Sequence, residues 1–211
     1  IQNIPLGVLL LFLELVLSVV IAGTVKFLSD DLNIFSILFF RYLLSLPLLL
    51  VYGLYIHGSS VFLIRQKGVM LARISFGLIG LSCWYLTVIY LTLSVATVLL
   101  QTVPIFITIF APIMTSEKVG IRRFFAVIIG FLGVIILIDP TLDGSFAYSG
   151  IGLLFGIGAT VFGALMFITL RMLGTRDSPI PTALWYNIVG TIIFGCLAGF
   201  SNGVSTLEII A

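Results

Sequence analysis

The chain has 211 residues, of which 61% are hydrophobic and only 9% are charged, and its formal net charge is +2. A soluble domain carries about 25% charged residues to keep its surface hydrated, so this composition excludes most enzymes of aqueous metabolism. The small net charge also excludes a nucleic-acid-binding protein that depends on a basic surface. The composition therefore predicts an integral membrane protein.

Seven apolar runs follow one another along the chain, separated by polar or turn-forming residues. A helix needs about 20 apolar residues to cross the hydrocarbon core, and it satisfies its own backbone hydrogen bonds in lipid. The sequence thus predicts an all-α, polytopic helical bundle of about seven spans. The runs cover residues 5–25, 34–56, 68–89, 93–114, 123–138, 150–170 and 181–201.

The basic residues are distributed unevenly between the breaks. Only Lys26 lies in a break after an odd-numbered run, and Arg41 lies inside the second run. The other eight lie in or beside the breaks after even-numbered runs: Arg65, Lys67, Arg73, Lys118, Arg122, Arg123, Arg171 and Arg176. Because Lys and Arg concentrate in cytoplasmic loops, we expect a cytoplasmic N-terminus in a cytoplasmic (inner) membrane.

A weak internal repeat relates the two ends of the chain. A shift of 145 residues places Gly152 on Gly7 and the segment 169–173 on the segment 24–28. Five predicted spans separate the matched positions, so the two segments would cross the membrane in opposite directions. An odd-numbered repeat of this kind is typical of inverted-topology transporters. Since the chain begins without Met and ends just after an apolar run, we expect it to be a fragment.

Two charged residues lie well inside the first two runs. Glu14 is near the middle of the first run, and Ser18 follows one turn later on the same face. Desolvation favours the protonated form of an unpaired carboxylate, so Glu14 is a candidate proton-coupling or cation-binding residue. The alternative is a carboxyl group that a neighbouring helix satisfies. Arg41 could extend to the membrane surface or remain in the bundle, where Glu14 would be its natural partner.

Aromatic residues lie near small or polar residues in two further runs. In the third run one face combines Gly80, Cys83, Trp84 and Thr87, and in the seventh run Trp185, Asn187 and Thr191 lie close together. Trp84 and Asn187 are therefore candidate contacts for an organic substrate. The alternative is that these residues pack between helices or lie at the membrane interface.

The fourth run has the clearest pattern. Its small and polar residues recur every three or four positions and would form one stripe: Ser94, Thr97, Gln101, Pro104, Thr108, Ala111 and Thr115. Lipid disfavours a mid-span glutamine, and prolines at 104 and 112 would bend the helix. Thr97, Gln101, Pro104 and Thr108 are therefore candidates for the lining of a substrate cavity. The alternative is a close-packing face whose hydroxyls bond to their own backbone.

Catalytic and metal-binding signatures are absent from the sequence. The two cysteines, Cys83 and Cys196, lie in apolar runs, and His57 is the only histidine. We therefore expect no disulfide framework, metal site or cofactor. No set of residues suggests a nucleophile with its base and acid, so we do not expect an enzyme.

The motifs of the fourth and fifth runs resemble a known family. The segment 94–104 (SVATVLLQTVP) is followed by Ser116-Glu117-Lys118, by the segment 122–134 (RRFFAVIIGFLGV) and by Asp139-Pro140. In this order and spacing they resemble the EamA domain of the drug/metabolite transporter superfamily. The form of the fifth run is similar to the branch with S-adenosylmethionine-uptake-like and organic-anion-permease-like members.

The resemblance implies a ten-span carrier built from two inverted five-span repeats. Residues 1–140 would be the first repeat, and residues 141–211 the first two helices of the second. The first, third and fourth spans would line a central cavity, which corresponds to the stripes containing Glu14, Trp84 and Gln101.

The function that this implies is secondary-active transport of a small organic metabolite by alternating access, coupled to protons or another ion, with lipid as the surrounding partner. The alternative is a non-transporting membrane scaffold or assembly subunit. A homodimer of complementary chains is the expectation if no further spans follow.

Overall fold

The computed structural model describes residues 4–28, 32–115, 125, 127–130, 132–133 and 149–210. Every regular element within these residues is helical. A short 3-10 turn, Gly58–Phe62, follows the second helix, and Gly58 takes the positive φ of 56° that this sharp exit requires. The longer helices are α1 (Ile4–Leu28), α2 (Ile34–His57), α3 (Lys67–Tyr90), α4 (Leu93–Leu100), α5 (Val103–Thr115), α6 (Gly150–Leu173) and α7 (Pro179–Ile210).

The helices confirm the predicted helical membrane protein. Among the described residues, five stretches are long and apolar enough to cross a membrane: 34–62, 67–90, 93–115, 150–173 and 179–201. They coincide with the second, third, fourth, sixth and seventh apolar runs, and α1 occupies the first. The fifth run, predicted at 123–138, lies largely outside the described residues.

The fourth apolar run is broken rather than bent. α4 ends at Leu100 and α5 begins at Val103. Between them, the backbone nitrogen of Thr102 donates to the carbonyl of Leu99 at 3.0 Å, which closes a tighter turn than an α-helix. Pro104 therefore lies in the first turn of α5, where a missing N–H costs little. The prediction that Pro104 lies inside a continuous helix is corrected to a position at a helix boundary, whereas Pro112 does lie inside α5.

Glycines bring α3 and α6 into close contact. A Cβ atom added at Gly80 would lie 3.1 Å from the backbone nitrogen of Gly163 and 3.2 Å from the carbonyl carbon of Phe162. One added at Gly156 would lie 3.4 Å from the methyl carbon of Thr87 in α3. Small residues at such positions let two helix backbones approach each other in a membrane, where dispersion contacts drive association.

A second antiparallel pair is formed by α2 and α7. Tyr42 is 2% exposed and packs over Gly190, where an added Cβ would lie 2.9 Å from the ring. The same ring stacks on Phe194, with centroids 5.7 Å apart. The largest cluster of buried side chains extends from this pair to α3 through Ile74, Leu78 and Tyr85.

Side chains from elsewhere in the chain hold both ends of α3. At its start, the carboxylate of Asp177 accepts hydrogen bonds from the backbone nitrogens of Arg65 (2.8 Å) and Gln66 (3.1 Å). At its end, the ammonium group of Lys26 donates to the carbonyls of Val88 and Ile89, both at 2.8 Å. A carboxylate at the N-terminus and a cation at the C-terminus both complement the helix dipole.

We predict that Gly80→Ala destabilises the protein by about 1–3 kcal/mol through overpacking, since the atoms that the new methyl group meets are largely backbone. Gly199→Ala is the matched control, because a Cβ there meets nothing within 4 Å. That control gains about 1 kcal/mol of helix propensity. The measurement is the temperature at which the detergent-solubilised protein loses its monodisperse elution peak. Equal shifts in both variants would contradict the close contact.

We also predict that Asp177→Ala lowers the same melting temperature, because two backbone N–H groups lose their acceptor. A hydrogen bond to a charged group contributes about 1.5–3 kcal/mol, and both of these bonds are partly buried. Asp177→Asn keeps one acceptor oxygen and should fall between the wild type and the alanine variant. An Asp177→Ala protein as stable as the wild type would show that this contact does not hold α3.

Candidate functional site

A cavity of about 1000 Å³ lies between the helices. Its walls come mainly from α1, α3, the α4–α5 junction and α6, and α2 and α7 contribute one residue each. Most of the lining is apolar. The charged side chains among the described lining residues are Glu14, Arg41 and Arg73. An apolar cavity with a few convergent polar groups is the usual form of a small-molecule site.

Six of the nine candidate residues line this cavity. Glu14 and Ser18 come from α1, and the others are Arg41, Trp84, Gln101 and Pro104. The break between α4 and α5 places Gln101 at the cavity, where its side chain is exposed. Ser18 directs its hydroxyl to the carbonyl of Leu15 at 2.8 Å, so it does not offer that donor to a ligand.

The other three candidates lie outside the lining. Thr97 and Thr108 donate to the backbone carbonyls of Ser94 (2.8 Å) and Pro104 (2.9 Å). This is the back-bonded arrangement that the sequence left open as an alternative. Asn187 lies between α2 and α7, where its side-chain oxygen accepts from the hydroxyl of Ser45 at 2.5 Å.

Arg41 remains in the bundle instead of extending to the membrane surface. One of its terminal nitrogens donates to the hydroxyl of Tyr85 at 2.7 Å, and the guanidinium carbon lies 5.6 Å from the centre of the same ring. Its hydrogen-bond partner is thus Tyr85 and not Glu14. In the part of the chain that the structure describes, Glu14 has no hydrogen-bond or ion-pair partner.

Arg73 is a cavity residue that sequence analysis assigned to a loop flank. It lies six residues inside α3, about 9 Å from the helix start by helical rise, and its side chain is only 9% exposed. Among the described residues, Nε and Nη1 of Arg73 have no hydrogen-bond partner. The guanidinium carbon lies 5.2 Å from the centre of the Tyr186 ring.

A spacing in the sequence could have identified Arg73. Arg73, Gly77, Gly80 and Trp84 recur at intervals of three or four residues and share one face of α3. All four line the cavity. Cys83 and Thr87, predicted on the same face as Trp84, turn toward α6, where they lie near Gly158 and Gly156.

Tyr186 is held in place from two sides. Its ring packs directly on the backbone of α3, since a Cβ added at Gly77 would lie 2.6 Å from a ring carbon. Its hydroxyl accepts a hydrogen bond from Tyr42 at 3.0 Å. The aromatic face below Arg73 is therefore fixed by packing and by a hydrogen bond.

The described residues offer little to a metal ion. No three His, Cys, Asp or Glu side chains among them come close enough to share one. Cys83 and Cys196 are free thiols. What the cavity can do chemically is bind and orient an organic molecule with its polar side chains and apolar walls.

Comparison with known proteins gives consistent results. Residues 5–139 match the model of the EamA-like transporter family. The chain is 31% identical over 116 residues to a riboflavin transporter of Vibrio cholerae, a match that covers 54% of this chain and 38% of that protein. It is 27% identical over 189 residues to a pseudopaline exporter of Pseudomonas aeruginosa, covering 89% and 64%.

A third relative is an S-adenosylmethionine uptake transporter of Rickettsia felis, 25% identical over 168 residues, covering 80% of this chain and 55% of that protein. The chain thus spans between 38% and 64% of the length of these three relatives. No solved structure matches it significantly.

Proposed function

The chain belongs to the EamA-like transporter family, and on that premise we propose that the protein is a secondary-active transporter of a small organic metabolite. It works in the cytoplasmic (inner) membrane, with its N-terminus in the cytoplasm, by alternating access to a central site. The relatives described above are named for riboflavin, pseudopaline and S-adenosylmethionine. We propose that this protein also carries a solute of that size class.

The observation that carries the proposal is the cavity beside the broken fourth span. Its volume of about 1000 Å³ is at the upper end of the range of small-molecule sites. Secondary transporters place their substrate sites at discontinuous helices, because a helix break supplies polar groups within the membrane. Here the break supplies Gln101 to the cavity.

The helix boundaries support two inverted repeats. Under the shift of 145 residues, the end of α1 at Leu28 falls on the end of α6 at Leu173. The start of α2 at Ile34 falls on the start of α7 at Pro179. We propose that residues 1–140 form one repeat and residues 141–211 begin the second. Alternating access would then be a rocking of one repeat against the other around the cavity.

Glu14 is the proposed coupling residue. It is a carboxylate on a membrane helix, it faces the cavity, and no described residue pairs with it. A carboxylate in that environment can take up a proton or hold a cation on one side and release it on the other. Its position in α1 places this step next to the solute.

We predict that Gly163→Leu abolishes solute flux, because the new side chain occupies part of the cavity. A Cβ at Gly163 meets only Val103, at an ordinary distance of 3.6 Å, so the first carbon of the new side chain fits without moving the helices. Proteoliposomes are incubated with a bacterial metabolite extract supplemented with riboflavin and S-adenosylmethionine, washed, and their contents measured by mass spectrometry. The wild type should accumulate particular solutes above protein-free liposomes.

Gly199→Leu is the matched control for this experiment. Gly199 is exposed on α7 with nothing within 4 Å of an added Cβ, so the variant should transport like the wild type. Equal flux in Gly163→Leu and wild-type vesicles would show that solute does not pass through this cavity. If wild-type vesicles accumulated no solute and the protein formed a stable oligomer, the scaffold alternative would be favoured.

We also predict that Glu14→Gln removes the pH dependence of flux while the protein still inserts and elutes normally. The amide has nearly the same shape but is neither protonated nor deprotonated near neutral pH. Glu14→Asp keeps a carboxylate and should retain pH-dependent flux. The measurement is initial uptake of an identified solute with and without an imposed pH gradient. Unchanged pH dependence in Glu14→Gln would remove Glu14 from the mechanism.

A further inference from the structure

The cavity arginine that has no hydrogen-bond partner among the described residues, Arg73, points to the chemical class of the solute. We infer that the transported molecule carries an anionic oxygen group, a carboxylate or a phosphate, that binds to Arg73. The inference rests on the proposed function, because it takes the cavity as the place where the carried solute binds. The inference also specifies that the protein recognises the anionic group of that solute, and that the recognising side chain is Arg73.

Arg73 keeps its charge in a place where charge is costly. Its side chain is 91% buried within α3 of a membrane bundle, beside the cavity. Nε and Nη1 have no hydrogen-bond partner among the described residues, and no described carboxylate pairs with the group. Buried polar groups in native proteins nearly always have partners, and an uncompensated buried charge is more costly still.

The second arginine of the cavity differs from Arg73 because it has a hydrogen-bond partner. Arg41 and Arg73 each lie over a tyrosine ring, at 5.6 Å from Tyr85 and 5.2 Å from Tyr186. Only Arg41 also donates to the hydroxyl of its tyrosine. The ring below Arg73 attracts the cation through its face but accepts none of the donors at the guanidinium edge. The hydroxyl of Tyr186 is engaged with Tyr42.

The charge balance of the cavity favours an anion. Its described lining contains two arginines and one carboxylate. Carboxylate and phosphate oxygens accept charge-assisted hydrogen bonds from guanidinium groups, which are about twice as strong as neutral ones. An anion at Arg73 would both compensate the buried positive charge and accept hydrogen bonds from the guanidinium N–H groups. The apolar walls, which include Leu81 and Phe167, would hold the carbon skeleton of the same molecule.

The position of Arg73 is fixed before any ligand arrives. The ring of Tyr186 packs against the backbone of α3 at Gly77, one turn beyond Arg73. Its hydroxyl accepts a hydrogen bond from Tyr42. Ordering a long arginine side chain on binding would cost conformational entropy. Here the packed ring has already restricted the guanidinium to the cavity wall, so more of the interaction energy appears as affinity.

The test measures direct binding of matched aromatic probes to the purified protein. Benzoate carries a carboxylate, benzamide is its neutral counterpart of nearly the same shape, and phenyl phosphate carries the alternative anion. Radiolabelled probes are followed by equilibrium dialysis. We expect saturable binding of benzoate or phenyl phosphate and at least about tenfold weaker binding of benzamide. The stronger of the two anions identifies which oxygen group the site prefers.

Variants assign the binding to Arg73. Arg73→Gln should weaken anion binding by about tenfold or more and bring it to the level of benzamide. Arg73→Lys keeps a positive charge and should retain part of the preference, which also guards against a variant that fails to fold. Arg65→Gln is the matched control, because Arg65 is exposed and outside the cavity lining. It should bind the anions like the wild type.

Three results would overturn the inference. Equal binding of benzoate, benzamide and phenyl phosphate, or no anion binding to the wild type, would show that the cavity does not select anions. Full anion binding by folded Arg73→Gln would place the anion elsewhere. In each case loss of flux in Gly163→Leu would still support the transporter. Conversely, unchanged flux in Gly163→Leu would contradict the proposed route even if anions bound at Arg73.

Discussion

The contact between α3 and α6 is the constraint on which the rest of the cavity depends. Gly80 lets the backbone of α3 meet that of α6 at Phe162 and Gly163 without an intervening side chain, and Gly80 and Gly163 both line the cavity. The same contact therefore closes one wall of the bundle and sets the width of the space beside it. Because Arg73, Gly77 and Trp84 are on the same helix as Gly80, the α3–α6 contact also determines where they point. Asp177 and Lys26 then hold the two ends of α3.

The polar groups of the cavity fall into two kinds. The hydroxyl of Ser18 in the lining, like those of Thr97 and Thr108 outside it, is bonded back to its own helix. They are satisfied in lipid and contribute little that a ligand could use. The groups that remain available among the described lining residues include the charged or amide side chains of Glu14, Gln101 and Arg73. A site with apolar walls and few such groups derives its selectivity from where each polar group is placed.

The helices were predictable from sequence because the lipid environment determines which secondary structure an apolar run adopts. In lipid, a long apolar run has few alternatives to a helix, so the runs from Ile34 to His57 and from Gly150 to Leu173 were located within a few residues. Rotation about the helix axis is less constrained, since lipid and a neighbouring helix both accept apolar side chains. This is why Thr97 and Asn187 were placed at the cavity when their polar groups are used within the bundle.

Arg73 escaped prediction for a related reason. A basic residue near the end of a run is ordinarily a sign of the cytoplasmic side, and only the neighbours of its helix face show that it points inward.

The close contact between α3 and α6 also has a consequence for how the protein is made. Gly163 follows Gly80 by 83 residues, which the ribosome takes several seconds to add at about 5–20 residues per second. The more buried α3 thus enters the bilayer before its packing partner exists. During that interval the glycine face of α3 and Arg73 have no α6 to pack against.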